Sequence, residues 1–247
     1  MFGFGTRSAK NRSFAQRWKG RLLKLLLTLL FLPWLLVLVM RWINPPVTAF
    51  MIETKIGLYA EHAPKTRLHH DWVQYRDIAP AMKLAVISSE DQRFAEHHGF
   101  DWEAIYRAHT HNLLSRRVRG ASTISQQVAK NLFLWGDRSW LRKAVEAYLT
   151  VLIEMFWSKQ RILEVYLNIA QFDQRIFGVG AAAKLLMHTT PARLSASQAA
   201  LLAGVLPSPE KLHADAPSPY LRSRQYQIEH QIEKLGPQYL QQVEHPQ

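Results

Sequence analysis

The stretch SWLRKAVEAYLTVLIEMF, Ser139 to Phe156, reads as one amphipathic helix. Ser139 is placed to cap it by accepting from a first-turn N–H. Leu141, Val145, Tyr148, Leu149, Leu152 and Phe156 recur at helical spacing and predict a core-facing stripe. Arg142 and Glu146 stand at the edge of that stripe, one turn apart and so facing each other. Lys143 and Glu154 point further outward. A carboxylate at the edge of a core is partly desolvated, which disfavours its charge, and the guanidinium opposes that penalty. The pattern leaves two readings open: an ion pair closing the rim of a helix, or a working acid.

The pattern continues on both sides. TISQQVAKNL opens with Thr123 and Gln126 in capping-box spacing. On its wheel Thr123, Gln126, Gln127 and Lys130 share one face, while Ile124, Val128 and Leu132 share the other. An ordinary amphipathic surface helix would look the same. Ile78, Met82 and Ala85 mark a helix ending near Glu90, and Asp101 is a plausible N-cap for Trp102, Ile105, Tyr106 and Leu113. Downstream, Ser158 can cap a helix to about Ile169. Ser195 with Gln198 opens another that stops at Pro207, and Ser218-Pro219 begins a last one ending at Gly236. No trustworthy period-2 strand and no repeat interrupts these. The prediction is a mainly α domain over 77–247, preceded by a linker and membrane-proximal lip over 44–76.

The 247-residue chain has no cysteine, hence no disulfide framework or thiolate metal site, and a net charge of +12. Much of that charge is explained at the N-terminus. Leu22 to Met40 is apolar except for Lys24, and as a helix it spans about 28 Å, close to a ~30 Å hydrocarbon core. Arg7, Lys10, Arg12, Arg17, Lys19 and Arg21 precede it without a single acid. The positive-inside rule predicts a cytoplasmic segment 1–21, a transmembrane helix 22–43 and an exported remainder, in the inner (cytoplasmic) membrane. Trp34 and Trp42 are candidate interfacial anchors. The basic excess is thus a topology signal, and nucleic acid is not an expected partner.

SSEDQRFAEHHGFDWEAI, Ser88 to Ile105, sets Glu90 beside Asp91 at the end of an apolar run. A carboxylate at a helix C-terminus meets the negative end of the dipole, a poor place for structure and a mild pointer to function. His97 and His98 stand without H-E-x-x-H or comparable ligand spacing, so no metal site is expected.

EDQRFAEHHGFD, GASTISQQVAKN, RKAVE and SKQRILEVYLN, in that order and spacing, resemble the bacterial peptidoglycan glycosyltransferases, the family that includes the glycosyltransferase module of class A penicillin-binding proteins. The resemblance covers about Asp77 to Pro209. It implies a lysozyme-like, mainly helical fold with a small membrane-embedded jaw, and polymerisation of lipid II into β-1,4-linked glycan strands with inversion and release of undecaprenyl pyrophosphate. Glu90 matches the general base that deprotonates the acceptor 4-hydroxyl, and Glu146 the second essential glutamate. Lys130, Arg138, Arg142 and Lys143 match a basic cluster near the donor pyrophosphate. Ser122, Thr123, Gln126, Gln127 and Asn131 match polar positions lining the cleft. Asp91, Phe94 and His97 match positions that shape the first motif, and are counted with the substrate-binding set. The implied partners are lipid II, the growing glycan chain and membrane lipids, with room for other wall-synthesis proteins. No obligatory cofactor is implied, although stimulation by Mg or Mn at the pyrophosphate is compatible with the family. Two stretches depart from it, QFDQRIFGVG after YLNIA, and Leu185 to Met187; both are expected away from the glutamates. SPEK, Ser208 to Lys211, has no S-x-N or K-T-G partner, so transpeptidation is not expected. The rival readings are a lysozyme-like lytic enzyme and a non-catalytic scaffold for wall synthesis.

Overall fold

The computed structural model of the protein describes residues 7–60, 67–115, 120–137 and 139–245, and divides the chain into two compact units, Met1–Ile43 and Asn44–Gln247. The first unit is built on one helix, α1 (Arg7–Met40), which runs through Pro33. Its Trp18–Met40 portion is long and apolar enough to cross a membrane. The helix begins well before the expected start at residue 22 and ends three residues short of 43, where Arg41 stacks over the Trp42 ring.

The second unit holds α2 (Ala49–Ala60), β1 (His69–His70), α3 (Pro80–Glu90), α4 (Trp102–Leu114), α5 (Ile124–Phe133), α6 (Trp140–Phe156), α7 (Lys159–Ile169), β2 (Gln171–Asp173), β3 (Ile176–Phe177), α8 (Gly178–Leu186), α9 (Ala196–Val205), α10 (Pro219–Leu235) and α11 (Gln238–Glu244). The fold is mainly α, as predicted. The helix starts follow their capping residues: Asp101, Ser139, Ser158 and Ser218 each accept from a first-turn N–H, and Thr123–Gln126 and Ser195–Gln198 form full capping boxes. Helix α3 packs against α9 and α10, while α5 packs against α6 and α7. Met82 to Ser88 of α3 and Ala199 to Val205 of α9 are continuously buried. That explains why their sequences show little one-sided periodicity.

Several expectations are corrected. The segment 44–76, expected as a linker and membrane-proximal segment, falls within the second unit, and its described residues carry α2, β1 and a 3₁₀ turn at Tyr75–Asp77. Thr48 caps α2 through the Met51 N–H at 3.1 Å, and the fully buried Asn168 side chain clamps Val73 by accepting from its N–H (2.7 Å) and donating to its C=O (2.8 Å). Strands also exist. QFDQRIFGVG forms the β2–β3 hairpin, and β1 joins β3 in parallel to give the order β1-β3-β2. Strands of two or three residues are too short to display alternation in a sequence. The chain passes so close to α8 here that a Cβ at Gly180 would lie 2.2 Å from the Asp71 carbonyl oxygen. The core stripe of α6 starts later than predicted: Leu141 is 71% exposed, while Leu149, Leu152 and Ile153 are buried. Glu154, expected to point outward, is instead largely buried and paired with Lys159 at 2.8 Å.

Candidate active site

Glu90 is the last residue of α3, with Asp91 as C-cap. Its half-buried carboxyl lines a cleft of about 520 Å³ together with Ser122, Thr123, Arg93, Arg107 and Arg224. One oxygen accepts from Gln127 Nε2 at 2.9 Å and the other from Ser89 Oγ at 3.4 Å. Burial pushes the Glu90 carboxyl above the usual carboxylate range. The Gln127 donation, the Arg224 charge and Ser89 oppose that shift, and Asp91 adds to it. A carboxylate raised in this way, facing a polar cleft, suits proton abstraction from an alcohol.

Gln127, which donates to Glu90, also lines a second cavity of about 270 Å³. Lys130, Asn131, Tyr166, Gln171 and the Ser208–Glu210 turn line it too, with Phe50 from α2. Lys130 reaches over the Phe50 ring, 5.7 Å from its centroid. One of the departures from the family pattern therefore does reach the site region, because Gln171 of β2 lines this cavity.

Glu146 is 3% exposed, between two cations. Arg142 Nη1 donates to Oε2 at 2.7 Å, and Lys143 Nζ donates to Oε1. The pair predicted at the rim of α6 is thus fully inside. Lys143 also reaches Ser122 Oγ at 3.5 Å, which ties Glu146 to the edge of the Glu90 cleft. Arg138 lies outside the described residues.

Other sequence-predicted residues are structural supports. Asp91 accepts from the Ile124 N–H at 3.0 Å and from His97 Nε2 at 2.8 Å, fastening the end of α3 to the start of α5. Phe94 is fully buried beneath Lys159 Nζ, which lies 4.7 Å from its ring centre. Phe94 and His97 are not among the residues lining the cleft; their environment is the interior of the 91–99 loop. Lys159 Nζ also holds the His97 C=O at 2.5 Å, and Ser125 Oγ bonds Glu154, so a buried network supports the loop from behind. Gln126 also stands apart from the cleft lining. It is buried, its Oε1 accepts from the Thr123 N–H at 3.0 Å, and it is spent on the capping box. The Thr123 hydroxyl donates to the Gly99 C=O at 2.6 Å, so Thr123 contributes shape to the cleft while its hydroxyl is engaged.

Sequence reasoning missed Arg224 and Tyr166. Arg224 comes from α10, far along the chain, and nothing in LRSRQY distinguishes it from its exposed neighbour Arg222. Tyr166 sits inside the quoted motif SKQRILEVYLN but reads there as a core aromatic, which it also is. Among the described residues no group of three or more His, Asp or Glu side chains is placed to hold a metal ion.

A sequence model of the Transglycosylase family matches residues 58–233. The chain is 47% identical to a biosynthetic peptidoglycan transglycosylase of Pasteurella multocida over 94% of each protein. It is 52% identical to that of Pseudomonas entomophila over 84% of this chain and 88% of the relative. For the Pseudomonas aeruginosa protein of the same name the identity is 50%, over 87% and 93%. With the family match spanning the helices that carry Glu90, Gln127 and Glu146, the chain belongs to the transglycosylase family.

Proposed function

We propose that this protein is a peptidoglycan glycosyltransferase that polymerises lipid II into β-1,4-linked glycan strands. The observation that carries this reading is Glu90: a carboxyl raised by burial, open to a polar cleft and hydrogen-bonded by Gln127. Glu90 takes the proton from the 4-hydroxyl of the acceptor N-acetylglucosamine. That oxygen bonds to the anomeric carbon of the donor muramic acid as the C1–O bond to undecaprenyl pyrophosphate breaks, which inverts the centre. The departing pyrophosphate keeps the electron pair and needs cations where charge develops. Lys130 and Lys143, with Arg138, are assigned to it. Arg142 acts by holding Glu146, and Glu146 in turn fixes Lys143. Asp91 and Asp101 near the cleft are already engaged, with Ile124 and His97 and with Ala104 respectively. No step proposed here is routed through a metal. SPEK has no transpeptidase partner motifs, so glycan polymerisation is the one activity assigned.

The Trp18–Met40 portion of α1 serves as a single-pass anchor with the N-terminus cytoplasmic and the second unit outside. Periplasmic-only activity of a C-terminal reporter fusion checks this, and a cytoplasmic C-terminus would overturn it. The exposed apolar side chains Ile52, Ile56 and Tyr59 on α2 and Trp140 and Leu141 on α6 support contact with membrane lipids; flotation of the isolated 44–247 unit with liposomes should detect it, and no flotation would refute it.

The central test is lipid II turnover by wild type and Glu90→Gln. General-base assistance contributes roughly 10²–10⁴ in rate, and a loss of that size is expected. Turnover within a few-fold of wild type would remove Glu90 as the base. Release of fragments from finished peptidoglycan, with no lipid II consumption, would favour a lytic enzyme.

A further inference from the structure

We propose that Tyr166 is a positioning residue for this reaction: its hydroxyl fixes the Gln127 amide so that the NH₂ end faces the Glu90 carboxylate. The proposal rests on Glu90 being the base. Tyr166 Oη donates to Gln127 Oε1 at 3.2 Å, and Gln127 Nε2 donates to Glu90 Oε2 at 2.9 Å, so three side chains from α7, α5 and α3 form one directed chain. An amide has two unlike ends. Turned over, Gln127 would present its oxygen to an ionised carboxylate, and the two acceptors would repel. A donor behind the amide removes that freedom. Tyr166 is 1% exposed, with its ring in the core, so the hydroxyl is carried on a rigid mount.

The phenol is suited to constant donation. Burial pushes it well above its ordinary range, and the Glu90 and Asp91 charges push it the same way, so it keeps its proton throughout the range in which Glu90 titrates. The other groups that face Glu90 are Arg224 from α10, Asp91 beside it, and Arg93, Asp101 and Arg107 around the cleft. Helix α9, also packed on α3, carries no titratable side chain. Of these groups only Tyr166 acts on Glu90 through Gln127, which makes its contribution separable.

Tyr166→Phe keeps the ring and deletes the donor. Three variants, Tyr166→Phe, Gln127→Ala and the double, are compared in lipid II turnover across pH. The Glu90 carboxyl is followed in parallel by ¹³C NMR in substrate-free protein, its signal identified by loss in Glu90→Gln. Tyr166→Phe should lower turnover at neutral pH roughly tenfold, the size of losing one hydrogen bond to a charged group. It should move the acid limb to higher pH and move the Glu90 carboxyl signal's titration the same way. The double variant should be no worse than Gln127→Ala alone, because the phenol acts only through the amide. A Glu90 titration unchanged in Tyr166→Phe, or penalties that add in the double variant, would overturn the proposal and leave Tyr166 as packing. A shifted Glu90 titration together with an active Glu90→Gln would instead sink the base assignment and leave the hydrogen-bond chain intact.

Discussion

Arg142→Met asks how Glu146 is kept in place. In the native protein the Arg142 and Glu146 side chains are 10% and 4% exposed and 2.7 Å apart. Removing one partner of such a buried pair costs about 3–5 kcal/mol, because the remaining charge is left uncompensated away from water. Lys143 stays on the second carboxylate oxygen, but its side chain is 42% exposed. A pair screened to that extent contributes at most about 1 kcal/mol. The expected loss is therefore at the lower end, about 3 kcal/mol. For a unit of this size each kcal/mol lowers the unfolding midpoint by about 2–4 °C, so a fall of about 6–12 °C is predicted, read by circular dichroism in detergent. A second variant, Arg142→Met with Glu146→Met, removes both charges and keeps similar volume. It should regain most of the lost stability, since apolar replacement of a buried pair is close to neutral. Turnover of lipid II should stay low in both variants: in Arg142→Met the carboxylate that fixes Lys143 beside Ser122 loses its guanidinium anchor, and in the double variant it is gone. A midpoint for Arg142→Met within 1–2 °C of wild type would refute the buried-charge argument. Recovery of turnover along with stability in the double variant would show that Glu146 is structural only.

Two further outcomes follow from the same site. With its pKa raised by burial, Glu90 is less costly protonated than ionised in the folded protein. Its favourable contribution is present below the unfolded carboxylate value of about 4.3 and is lost as pH rises through the higher folded value. Glu90→Gln should thus match wild type in melting point at acid pH and exceed it at neutral pH; an equal or lower melting point at pH 7 would contradict the burial argument. Lys130→Ala should lower turnover strongly and lipid II affinity less, since charge on the leaving group grows in the transition state, while Lys130→Arg should retain part of the rate. Near-normal turnover in Lys130→Ala would move the pyrophosphate to Lys143 and Arg138.

Sequence patterns located the helices well where a side chain itself closes the helix end. Thr123, Ser139, Ser158, Ser195 and Ser218 all cap where their spacing placed them. They failed where structure depends on distant partners. The β1–β3 pairing joins His69 to Ile176, and Asn168 holds Val73, so neither is a local signal. Leu141 was misjudged because periodicity identifies an apolar face without saying what covers it. The site shows the same division. The position of Glu90 at the end of α3 was legible because a carboxylate at a helix C-terminus violates a local preference. Arg224 and the role of Tyr166 were not, because each depends on a neighbour brought by another helix.

The environments of the two glutamates separate their roles better than their motifs do. Both oxygens of Glu146 accept from cationic donors on its own helix, Arg142 and Lys143, so its charge is compensated within the helix. In the proposed function its use is to hold a charge still. Glu90 accepts from neutral donors, Gln127 and Ser89, and Arg224 acts on it only as a nearby charge. Neutral donors orient a carboxylate without cancelling its charge, so its affinity for a proton survives. The negative end of α3 works in the same direction. A full complement of salt bridges at Glu90 would have made a more stable domain and a weaker base. Two carboxylates in unlike surroundings are a mark of divided labour in an active site. For the proposed function that division gives proton abstraction to Glu90 and fixation of the pyrophosphate-binding lysine to Glu146.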